Sequence, residues 1–102
     1  DNMKKIKTDE IYTLKLSSGE EIIAKIVSDS EDDYEVVHPI MVVVSQHGLQ
    51  LMPGLFTNNN DEFVTINKGS CVMLGITRED IKSKWIEATT GITTEPKQIL
   101  TG

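Results

Sequence analysis

The sequence predicts a mainly β domain, in which about five short antiparallel strands form a small barrel or sandwich and one C-terminal helix follows. Three observations predict this. Apolar and polar residues alternate in short runs, the period-two signature of half-buried strands. Clusters of Gly, Pro, Ser, Asn and Asp punctuate those runs. From residue 77 the apolar spacing changes to that of a helix.

The elements follow in order. Residues 1–10 carry lysines but no apolar run, so they read as a polar lead-in and not as a signal peptide. Over 11–16, Tyr12, Leu14 and Leu16 alternate with Thr13 and Lys15. The stretch "SSGEE" then supplies a turn, with Gly19 free to take positive φ. A second strand over 22–27 puts Ile22, Ala24 and Ile26 on one face, so the two make a hairpin. "SDSEDD" (28–33) reads as a solvated acidic loop. A valine-rich third strand region spans 34–45 and is bent at His38-Pro39, because proline cannot donate to a ladder. "LQLM" alternates again until Pro53-Gly54 ends it. Residues 63–66 and 71–76 are short strands flanking "NKGS".

Ile81, Lys84, Trp85 and Ala88 then fall at helical spacing. Thr77 is placed to cap this helix, with Asp80 three residues on. Glu79 and Asp80 suit the positive end of the dipole, and Gly91 is the expected stop. The resulting division is a lead-in over 1–10, a barrel over 11–76, a helix over 77–91 and a poorly ordered tail over 92–102. Trp85 is expected to dock the helix on the barrel, and Met41, Met52 and Met73 to fill core or interface.

Composition narrows the function. The hydrophobic fraction of 38% and charged fraction of 25% suit a soluble globule. No apolar run nears the roughly 18 residues of a membrane span. Cys71 is the one cysteine, which excludes a disulfide within the chain and makes a reducing cytoplasm the expected setting. A net charge of −6 opposes nonspecific polyanion binding, so any nucleic-acid contact must rest on a local site. His38 and His47 have no nucleophile-and-carboxylate set around them, and no phosphate-binding G-x-x-x-x-G-K-[ST] loop occurs. The run "DSEDDYE" lacks the glycine and spaced terminal glutamate of a calcium-binding EF-hand loop. Neither an enzyme, nor a metal site, nor a cofactor is therefore expected.

The stretches "YTLKLSSGEEIIAKIVSDSEDDYEVV" and "VTINKGSCVML" resemble, in order and orientation, the two motifs of the Sm/LSm family. The resemblance covers roughly residues 11–76. It implies a strongly bent, five-stranded, Sm-like open barrel that assembles into a homo-oligomeric ring by pairing edge strands. The family's helix usually precedes the first strand. A helix after the barrel and an acidic loop look like the divergent Sm-like proteins of tailed phages and marine metagenomes.

The resemblance also implies a base-binding pocket made from two turns. Tyr34 stands where the family stacks an aromatic or methionine on a base, a contact worth about 1–3 kcal/mol. Glu35 stands where the family has a base-reading asparagine, and a carboxylate only accepts hydrogen bonds. Glu31 matches the family's aspartate. Lys68 replaces the usual arginine, keeping charge but losing the planar fork, and Gly69 matches the glycine. Asn67 or Lys68 would contact base or phosphate, and Gly69 would admit a close backbone. Asp29, Glu31, Asp32, Asp33 and Glu35 are expected near the mouth, and Asn58 to Asn60 in an extra loop.

Two functions stay open. One is single-stranded RNA binding on the ring. The other is an interaction or assembly module that has lost RNA binding. In the second, Tyr34 is an ordinary strand residue and "NKGS" an ordinary turn. A barrel unrelated to the family, either monomeric or oligomeric without ring symmetry, is the third reading.

Overall fold

The computed structural model describes residues 6–90. Gly91, the tail over 92–102 and the first five residues of the lead-in lie outside the described residues. The described chain forms β1 (Glu10–Leu16), β2 (Glu21–Asp29), β3 (Asp33–Ser45), β4 (Gly48–Pro53), β5 (Val64–Asn67), a single 3₁₀ turn (Lys68–Ser70), β6 (Cys71–Ile76) and α1 (Glu79–Thr90). All strand pairs are antiparallel, in the order β4-β3-β2-β1-β6, with β5 also paired to β3. Among the described residues the sheet is not closed, since there β4 pairs only with β3 and β6 only with β1.

Six strands form where about five were expected. The outer neighbour of β3 arrives in two pieces. β4 pairs along Ile40 to Ser45 and β5 along Asp33 to Val36. The chain leaves the sheet at Gly54, whose N–H donates to the Pro39 carbonyl at 2.8 Å. A Cβ on Gly54 would sit 2.9 Å from that oxygen, so only glycine permits this approach. Residues 54–63 loop out before β5 rejoins β3.

Two bulges bend the central strands. Ile23 pairs with Ile40 and Lys25 with Val37, leaving an extra residue at His38-Pro39. His38 takes φ +51 there, an uncommon conformation that histidine enters more readily than most residues. The second bulge leaves Val27 unpaired between Ile26 and Ser28.

The bent sheet buries both faces. Tyr12, Leu14, Ile22, Ala24, Ile26 and Val36 cluster on one, with Ile66, Val64 and Cys71 packed against them. This is the face that strand alternation predicts. Ile11, Ile23 and Ile40 cluster on the other and are covered by Trp85 of α1. Trp85 is 4% exposed. Its indole N–H donates to the His38 carbonyl at 3.0 Å, and its ring meets the His38 ring edge-on. The helix is thus fastened to the bulge that bends β3.

The expected cap of α1 differs. Thr77 is buried, and its hydroxyl pairs with that of Thr13 at 2.9 Å. The Arg78 carbonyl instead accepts the first helical bond, from Lys82 N–H at 2.9 Å. The Arg78 guanidinium grips both Asp80 oxygens at 2.8 Å. This hydrogen bonding holds the Asp80 carboxyl down to about 2. The methionines divide. Met41 packs on the first core face, whereas Met52 and Met73 are exposed on the edge strands β4 and β6.

Candidate nucleic-acid interface

The turn between β2 and β3 is shorter than the acidic loop expected over 28–33. Ser28 and Asp29 belong to β2 and Asp33 to β3, leaving residues 30–32 as the turn. The Ser30 N–H and hydroxyl both donate to the Asp33 carbonyl, at 3.0 and 3.2 Å. Pairing with β5 draws Asp33 into the sheet despite the low strand propensity of aspartate.

The two turns that the sequence singles out meet. Asp33 pairs with Asn67 and Tyr34 with Ile66. The Lys68 N–H donates to the Asp32 carbonyl at 2.8 Å, which ties one turn to the other. The Lys68 ammonium lies 4.8 Å from the centre of the Tyr34 ring. That is within cation–π range. Burial raises the Tyr34 hydroxyl above its ordinary pKa despite the opposing Lys68 charge.

Asn67 and Gly69 shape the turn. The Asn67 side-chain oxygen accepts from Gly69 N–H at 2.7 Å and caps the 3₁₀ turn. A Cβ on Gly69 would sit 2.8 Å from that oxygen, so a larger residue here would push the Asn67 side chain aside and disturb the cap. Because its oxygen is engaged, Asn67 presents its amide N–H groups as donors.

Glu35 is not brought to this cluster. Tyr34 and Val36 both face the first core cluster, so strand alternation sends Glu35 to the opposite face. It pairs there with Ser28 and Thr65.

Asp29, expected only as one of several acids near the mouth, is the one that meets Lys68. It pairs with Tyr34 across the β2–β3 hairpin and so shares its face. Its carboxylate forms an ion pair with the Lys68 ammonium at 2.5 Å, with each side chain about one-third exposed, at 31%. The hydrogen bond to Asp29 raises Lys68 above its ordinary pKa. Ending β2 at residue 27 hides this pairing. Running the strand two residues further shows it.

Two grooves lie elsewhere. One, of about 420 Å³, runs between the His38-Pro39 bulge, residues 55–61 and the end of α1. The other, of about 500 Å³, lies on the α1 face, where Val42, Val44, Leu49 and Leu51 look across to Met73 and Ile76. Its lining thus includes both outer strands of the sheet, β4 and β6.

The Cys71 thiol donates to the Met73 carbonyl at 3.3 Å, and burial pushes its pKa up, so it is a poor nucleophile. Among the described residues no group of three His, Cys, Asp or Glu side chains is placed to hold a metal ion. Among them, too, no helix is long and apolar enough to cross a membrane. Compared with protein-family models and with curated proteins, the chain matches none.

Proposed function

We propose that the protein is an Sm-like, ring-forming assembly module of the cytoplasm without enzymatic activity. The observation that carries this is the state of β6. It is an edge strand, and Val72, Met73 and Ile76 on it are 59%, 66% and 80% exposed. An exposed apolar edge is a template for pairing with another chain. The other open edge, β4, exposes Leu49 and Met52 at 37% each. β6 of one copy against β4 of the next is a head-to-tail contact, which closes into a ring when the rotation between copies allows. The resemblance of both motifs to the Sm/LSm family supports a rotation that closes.

Amide exchange tests the edge pairing. The β6 backbone groups that face away from β1 are expected to be protected in concentrated solution and to lose that protection on dilution. Fast exchange at every concentration would remove the reading.

A second reading is single-stranded RNA binding on the ring. The junction of the two turns favours it, since Tyr34 and Lys68 form one cluster from opposite ends of the motif pair. Tyr34 would offer its ring, Asn67 its amide donors and Gly69 a close backbone. Tyr34→Ala is expected to weaken binding of a uridine-rich RNA by about ten-fold or more, read by fluorescence anisotropy at an oligomer mass checked in parallel. Full binding by that variant would contradict a site at these turns.

A further inference from the structure

The arrangement around Lys68 bears on how such a site would choose its ligand. Lysine is the basic residue of the joined turns, and its ammonium is already engaged twice within the chain. Asp29 holds it at 2.5 Å, and the Tyr34 ring lies beneath it at 4.8 Å. A phosphate oxygen approaching Lys68 meets a neutralised pair instead of a free cation. Asp32 and Asp33 border the same turn and repel phosphate further.

We infer that Asp29 is the specificity-determining residue of this site: by occupying Lys68 it removes the phosphate contact, so a strand is held by base stacking and amide donors. This rests on the RNA-binding reading. It means that the site favours unstacked bases over a charged backbone. Binding therefore carries little salt dependence from Lys68, although lysine is its basic residue. An exposed ion pair contributes little to folding, so Asp29 is free to serve this role.

The test uses the full chain, a uridine-rich single-stranded RNA as probe, and Asp29→Asn. Affinity is measured across a salt series, and the rate of Lys68 acylation is followed by mass spectrometry. In Asp29→Asn the freed ammonium is expected to reach a phosphate. The logarithmic salt slope should then steepen by about 0.7 for that one contact on a single strand. Adding Lys68→Ala to Asp29→Asn should remove the extra slope. Acylation of Lys68 should quicken in Asp29→Asn, because the amine loses both its partner and its raised pKa. An unchanged acylation rate would overturn the pairing in solution. An unchanged slope in a protein that binds RNA would overturn the role of Asp29 alone. Binding by neither protein would overturn the RNA reading itself, and this role with it.

Discussion

Replacing Trp85 by alanine is expected to destabilise the protein by about 3–5 kcal/mol, the usual cost of emptying a buried tryptophan site. A domain of this size is stable by on the order of 5–15 kcal/mol, so the loss is a large part of the total. The reason is structural. Trp85 is the helix residue buried in the second core cluster, over Ile11, Ile23 and Ile40. It also supplies the hydrogen bond to the His38 carbonyl at the bulge. His38 sits at φ +51, and strained backbone of this kind persists where its surroundings hold it. Trp85→Phe separates the two contributions. It keeps most of the apolar body and removes the N–H, with an expected cost near that of one hydrogen bond, about 1 kcal/mol. Urea unfolding at a fixed protein concentration measures both, since any self-association would make stability depend on concentration. A loss below that of the phenylalanine variant would mean that Trp85 does not fasten the helix.

The second large effect is on assembly. Met73→Lys with Ile76→Lys places two charges on the apolar edge of β6. Burying two such side chains in an interface contributes about 1.5–3 kcal/mol each. Their loss should weaken association by about a hundred-fold or more. Exposed positions tolerate substitution within about 0.5 kcal/mol, so the monomer should remain folded. Ile86→Lys is the control. It charges an exposed apolar residue on α1, which belongs to neither edge strand, and should leave assembly unchanged. Sedimentation velocity distinguishes the variants. Equal dissociation by both would point to a helix interface, and dissociation by neither would exclude the β6 edge.

Much of the fold is legible in the sequence because local pattern and tertiary burial agree there. The alternation of Tyr12 with Leu14, and of Ile22 with Ala24 and Ile26, predicts one core face correctly. The spacing of Ile81 and Trp85 predicts the side of α1 that packs. Ile11 and Ile23 break that alternation, and they are the residues of the second face, which is buried because α1 covers it. The proline at the bend is visible in the sequence, but the bulge that puts Ile40 under Trp85 depends on pairing across strands. The same holds for β5. The segment is recognisable as a strand, yet its place alongside β3, continuing the line of β4, is a tertiary fact.

The candidate site is legible in part for the same reason. Tyr34, Asn67, Lys68 and Gly69 lie together where β3 meets β5 and the 3₁₀ turn. Glu35 does not, since adjacent residues on a strand face opposite ways. Asp29 lay within an acidic run that reads as solvated loop. Its pairing with Lys68 follows only once the β2–β3 register is known. A run of charges hides which member has a partner, because the partner comes from another part of the chain.

The measurement that tests the central claim most directly is the native mass of the unmodified protein across a dilution series. A protein that pairs β6 with β4 of the next copy and closes on itself is expected to show one dominant mass. That mass is a fixed multiple of the chain, and it persists on dilution until it falls to monomer without intermediates. A monomer at every concentration, or a ladder of masses with no preferred size, would contradict a closed ring built on these edges.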